Sequence, residues 1–195
     1  MMNSKLAVAI NFVQQFYHSA YHYFLSIKNY TMAVKEAFIA ELKYESTLTK
    51  KMLERVPLEK AGWKPHEKSM TVGRLATHIA ENVKWISDII NIDDFDFAVR
   101  AFKSHTAAST EELLKIFQDN LDAAIHDLSS MTDDDFNKKW IVRVGDKIMY
   151  DTPKKVAIRG WAFSHQIHHR GQLSVYLRLL DVPVPGMYGP SADER

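Results

Sequence analysis

A chain of 195 residues is long enough to bury a sizeable core as one domain. Charged residues make up 25% of it and nearly cancel, leaving a formal net charge of +1, so no basic footprint points to nucleic acid. There is no cysteine, which excludes a disulfide framework, a thiol nucleophile and a cysteine-ligated metal; any bound metal must sit on nitrogen and oxygen.

Residues 1–31 stand apart from the rest. From Leu6 to Ile27 the chain is apolar and aromatic and carries no acid. Phe12, Phe16, Tyr23 and Ile27 recur at helical spacing, but Asn11, Gln14, Gln15, His18 and His22 interrupt any membrane-length run of about 18 apolar residues. The opening run Leu6–Ile10 is short for a signal peptide, and no small-residue cleavage pattern follows it. The segment reads either as an added amphipathic helix or as residues ahead of a true start at Met32. The second reading is preferred, because a domain pattern covering 32–195 begins directly after that methionine. A cytoplasmic protein that does not enter a membrane is the expectation.

Residues 33–55 predict a helix with Phe38, Leu42, Glu45, Thr49, Met52 and Val56 on one face. Glu45 falls where an apolar residue belongs. It is either an edge carboxylate that snorkels to water or one aimed at the histidines from a facing helix. After the connector with Pro57, Gly62 and Pro65, Ser69 or Thr71 caps a second helix running to about residue 90. Its face carries Leu75, His78, Asn82, Trp85 and Ile89, so His78 intrudes on an apolar stripe, with Glu81 nearby. Residues 91–108 read as irregular with an acidic start. Ser109 and Glu112 then form a capping box for a third helix, 110–129, whose stripe of Leu113, Phe117, Leu121, Ala124 and Leu128 is purely apolar and is assigned to packing. Residues 140–150 predict a short β-hairpin turning at Gly145-Asp146 and lying outside the helices. Thr152 and Pro153 start the last helix, 153–181.

The last helix carries the chemistry. At 3.6 residues per turn, Ile158, Trp161, His165, His169, Gln172, Tyr176 and Leu179 share one stripe. Four of these are polar, and burying polar groups in a row is costly unless each finds a partner. His165 and His169 stand at i and i+4, so both rings can close on one metal ion. His168 lies roughly 60° round the helix from His165 and is left as a flanking group. A lone pair at this spacing is more often a satisfied core or surface pair than a metal site. His78 supplies the third imidazole that a site between helices needs. Gln172, Tyr176 and Trp85 are candidate pocket walls, more simply read as interior packing, and Arg170 projects away from the stripe as a structural ion-pair former. Four long helices with short excursions make an all-α four-helix bundle the expected fold.

The stretches WKPHEKSMTVGRLATHIAE, HQIHHRGQLSVYLR and PGMYGPSADE together resemble the DinB superfamily of metal-binding four-helix bundles. The resemblance covers roughly Val34 to Glu194, and residues 1–31 depart from it. Carried onto this chain it implies His78, His165 and His169 as the ligands, the same three that the helical projection selects. It implies nickel or zinc, with iron or manganese as alternatives, and a homodimer. Some relatives transfer thiol cofactors and others are described as hydrolases, so the resemblance implies a hydrolase or thiol transferase acting on a small molecule. A metal-binding, stress-linked bundle protein without turnover is the alternative. A divalent ion on three neutral imidazoles keeps its full charge and has open positions for water or substrate, as catalytic sites do. Glu45 and Glu81 are the candidates for a general base or for support behind the ligands.

Overall fold

The computed structural model describes residues 33–100 and 104–194, so the readings made for residues 1–31 lie outside the described residues. Helix α1 (Val34–Leu53) forms where the apolar face was expected. Leu42, Glu45, Thr49 and Met52 are buried along it, with Phe38 packed against the core. Thr71 caps α2 (Val72–Asn82), its hydroxyl accepting from the Arg74 N–H at 3.2 Å. The single helix expected over 70–90 is two, α2 and α3 (Lys84–Asn91). Val83 between them keeps a helical backbone, φ −60° and ψ −29°, so Leu75, Asn82, Trp85 and Ile89 remain buried across the break.

The acidic stretch read as irregular contains a strand, β1 (Asp94–Asp96). Its acids have structural work to do. The Asp96 carboxylate accepts from the N–H groups of Ala98 and Gly145 at 2.8 and 3.0 Å and pairs with Arg143 at 2.7 Å, which holds its pKa below the ordinary carboxylate value. Helix α4 (Thr110–Ser130) starts at Ser109 as expected, the Ser109 hydroxyl accepting from the Glu112 N–H. A further short helix, α5 (Asp133–Asn137), is capped by Thr132 and Asp135 in reciprocal hydrogen bonds.

Strands β2 (Lys139–Val144) and β3 (Lys147–Pro153) form the expected hairpin. Gly145 turns it with φ +57°, a left-handed conformation that favours glycine. β1 adds in parallel on the other side of β2, giving a three-stranded sheet in the order β1-β2-β3. The hairpin expected outside the helices instead sends Trp140 and Val142, both fully buried, into the core. β3 runs on to Pro153, so Pro153, and not Thr152, occupies the N-cap of α6 (Lys154–Ala157). A π-helical segment, Ile158–Ser164, follows, and then α7 (His165–Leu179).

The protein is therefore mostly helical with a small sheet, and the four continuous helices expected are divided into more pieces. α4 packs on α1, α2 and α3, while α7 packs on α2 and α1, which sets the two histidine-bearing helices side by side. Among the described residues no helix is long and apolar enough to cross a membrane.

Candidate metal centre

The π segment decides where the last helix points its side chains. A π turn takes one more residue than an α turn, so everything beyond it is rotated by about one position. Ser164 reports the wider turn, its hydroxyl donating to the carbonyl of Arg159 five residues back at 3.0 Å. The stripe expected from an unbroken α-helix accordingly fails at its far end. Gln172 is exposed and Leu179 is 57% exposed, while the buried line runs through Gln166, Arg170, Leu173, Leu177 and Leu180. His165 and Tyr176 sit half-buried at the edge of that line, and His169 is buried. Rotation by one residue thus brings the imidazoles to the rim of the core, between helices, where an ion can be reached.

Asn82 of α2 locks this register. Its amide donates to the carbonyl of Ala162, inside the π segment, and to Gln166 Oε1, both at 3.0 Å. All three groups are buried, and Asn82 stands one turn beyond His78. This tie between the ligand-bearing helices was not foreseen. The one sign of it in the sequence was a second polar residue on the apolar stripe of α2.

His78, His165 and His169 come together as three ligand atoms within 4.8 Å of one another. The Nε2 atoms of His78 and His165 are 3.4 Å apart, and those of His165 and His169 are 2.7 Å apart. Two nitrogens bonded to one ion at about 2.1 Å stand roughly 3.0–3.4 Å from each other. The His78–His165 pair has that spacing and the His165–His169 pair is somewhat closer, so the group could hold a single divalent cation. The outer ring nitrogens are engaged as well. His169 Nδ1 donates to Gln172 Oε1 at 2.7 Å, and His165 bonds the backbone of Trp161. Protonating Nδ1 leaves the Nε2 lone pairs facing the centre, as ligand histidines require.

Electrostatics favours the same state. Burial, and then the neighbouring His169, His165 and Arg74, lower the His78 pKa from 6.5 to about 4. Burial, followed by His169, also lowers His165, against the opposing bond to Trp161, and burial lowers His169 against the opposing bond to Gln172. Neutral imidazoles are the form that binds metal.

The carboxylates look elsewhere. Glu45 is buried but, contrary to the reading that aims it at the histidines, its described partners are Arg170 and Tyr188, because the guanidinium of Arg170 is the nearer charge to satisfy. Glu81 pairs with Arg74 at 3.0 Å. Neither has a histidine among its described contacts. His168 is exposed, its ring 4.9 Å from that of His169. Of the expected pocket walls, Gln172 orients His169, Tyr176 meets Trp63 edge-on at 5.7 Å, and Trp85 lies in an aromatic cluster with Phe95 and Trp161.

A mostly helical fold carrying three convergent histidines from two neighbouring helices defines a class of helical protein with a group that could hold a metal ion. The family model of the DinB family matches residues 19–195, and the chain belongs to that family. The chain is similar to the uncharacterised protein YrdA of Bacillus subtilis (strain 168), with 25% identity over 157 residues, covering 80% of this chain and 89% of YrdA. A crystal structure of a DinB-like protein from Bacillus cereus ATCC 10987 matches with a TM-score of 0.62 and 24% identity, over 78% of this chain and 97% of the other. A second, the DinB-like protein YjoA of Bacillus subtilis, matches with a TM-score of 0.55 and 18% identity, over 74% and 94%. Both structural likenesses concern the fold.

Proposed function

We propose that the chain binds one divalent metal ion through His78, His165 and His169 and uses it as an enzyme on a small molecule, by hydrolysis or thiol transfer. The observation that carries this reading is the convergence of the His78, His165 and His169 ring nitrogens within 4.8 Å of one another, with His169 also held by Gln172 and His165 by the backbone of Trp161. Nickel and zinc suit three imidazoles best, and iron or manganese are the alternatives. The fold is read as a four-helix bundle whose second leg is α2–α3 and whose fourth is α6, the π segment and α7. Assembly as a homodimer belongs to the same proposal.

A divalent ion held there supplies Lewis acidity, lowering the pKa of a water or thiol that reaches it. The chain's own residues do the rest. Gln172 keeps His169, and the backbone of Trp161 keeps His165, in the binding tautomer. Burial keeps His78 neutral, so protons do not compete for its nitrogen at neutral pH. Glu81, half-buried and bonded to Arg74 through Oε2, is the carboxylate proposed to take up a proton beside His78, one turn away on α2. Glu45, whose two oxygens accept from Tyr188, is proposed to act as support behind the ligands and not as a base.

Metal content per chain, measured on untagged protein, tests the ligand set. His78→Ala, His165→Ala and His169→Ala are each expected to lose most of the bound metal, because two imidazoles hold a divalent ion poorly. His168→Ala is expected to retain most of it. Retention in His165→Ala together with loss in His168→Ala would overturn the site. Turnover of an ester or thiol-transfer substrate by the loaded protein separates an enzyme from a metal-binding protein without turnover.

A further inference from the structure

Arg170 has only 2% of its surface exposed and follows a proposed metal ligand directly in sequence. A guanidinium so deeply buried is costly unless its N–H groups are paired. Here they are paired across separate parts of the chain. Nη1 donates to the Glu45 carbonyl and to Thr49 Oγ1, each at 3.0 Å and both on α1. Nη2 donates to Glu45 Oε2 at 2.5 Å and to the Tyr188 hydroxyl. That hydroxyl in turn donates to the Glu45 carboxylate, 3.0 and 2.9 Å from its two oxygens.

Tyr188 lies on the tail beyond α7 and is 61% exposed as a residue, its ring against the Arg170 guanidinium and its hydroxyl reaching the buried pair. The tail holds Tyr188 in place through its own bonds. Arg178 donates to both oxygens of Asp193 at 3.0 and 2.7 Å, Asp193 accepts from the Val184 N–H, and Glu194 accepts from the Gly186 N–H. A Cβ at Gly186 would stand 2.6 Å from the Gly189 carbonyl oxygen, so this close turn requires glycine.

The proposed ligands come from two helices, His78 from α2 and His165 with His169 from α7. Their spacing therefore depends on how α7 is rotated about its axis. A turn of about 10° moves an atom roughly 6 Å from a helix axis by about 1 Å. Metal-ligand distances tolerate deviations of only about 0.2 Å. We propose that Arg170, Glu45 and Tyr188 are positioning residues for the three-histidine site, through which the C-terminal tail and α1 clamp the rotation of α7. This rests on the metal reading given above.

The test uses the untagged full chain and Co2+ as the probe, with three readouts: the dissociation constant, the visible d–d spectrum and the thermal midpoint. Tyr188→Phe keeps the ring at an exposed position and removes one hydroxyl. It is expected to weaken Co2+ binding about tenfold, the lower end of what partners behind a ligand contribute, and to shift the d–d bands. Arg170→Lys, which keeps the charge but not the fork, is expected to weaken binding further. The Tyr188→Phe result decides the matter whatever the folding yield of Arg170→Lys. Unchanged affinity and spectrum in Tyr188→Phe, with or without a lower thermal midpoint, would overturn the positioning role and leave the metal reading standing. A wild-type chain that binds no Co2+, or a His169→Ala chain that binds it equally well, would overturn both.

Discussion

Helix α4 and the last helix are both long amphipathic elements, yet they relate to their sequences in opposite ways. α4 keeps one register from Ser109 to Ser130, and its buried residues Leu113, Phe117, Ala124 and Leu128 are those a 3.6 period selects. The last helix begins in one register and ends in another, because Ile158–Ser164 winds as a π-helix. Apolar side chains are interchangeable contributors to one buried face, so nothing in α4 rewards a break. The last helix must satisfy a buried arginine, two imidazoles and two amides as well as bury a face, and the π turn reconciles those demands.

The contrast implies that α4 contributes stability and the last helix contributes geometry. Phe117→Ala should test the first half with the largest effect. Truncating a fully buried phenylalanine costs about 3–5 kcal/mol. Urea unfolding should show that loss, while the metal content of the folded fraction stays at the wild-type level. A parallel loss of metal affinity would show that the two regions are not separable.

Asn82→Ala should act on the other half with a smaller stability cost. It leaves Gln166 Oε1 without its donor and the Ala162 carbonyl with only the His165 N–H, worth about 1–3 kcal/mol. Metal affinity should fall with it, because Asn82 ties α2 to the π segment. A variant that is destabilised to this extent but binds metal normally would make the tie a matter of stability alone.

The last effect is one of pH, and solvent reaching the half-buried His78 reduces it. His78 has a folded pKa of about 4 against an ordinary value of 6.5. Between those values the unfolded chain holds the extra proton, so the metal-free protein is more stable near neutrality and loses that increment as pH falls from 6.5 towards 4. The urea midpoint across this window should fall less in His78→Gln, which has no imidazole to protonate. Equal slopes in the two proteins would show that the site imposes no such proton cost.

The elements that were legible beforehand are those fixed by local chemistry. Ser109 and Thr71 start helices because their hydroxyls accept from N–H groups that no helix can satisfy internally. Gly145 turns the hairpin because its backbone takes a positive φ. The i,i+4 spacing of His165 and His169 survives because it lies wholly within α7, beyond the π turn. His78 was legible for the same local reason, as a polar group on an apolar stripe.

The rest required tertiary structure. β1 is three residues long and pairs with a strand that begins more than forty positions later, so no local period could signal it. The π turn follows from bonds to another helix, through Asn82, and leaves the apolar pattern of its own segment nearly unchanged. Glu45 could be read as a snorkelling edge residue or as a carboxylate aimed at the histidines; it is buried, but its partners Arg170 and Tyr188 lie 125 and 143 residues away, on α7 and the tail. Periodicity along one helix tells which side chains turn inward. Only the packing of separate helices decides which group each of them meets, because a buried charge is settled by whichever partner the fold brings within hydrogen-bond reach.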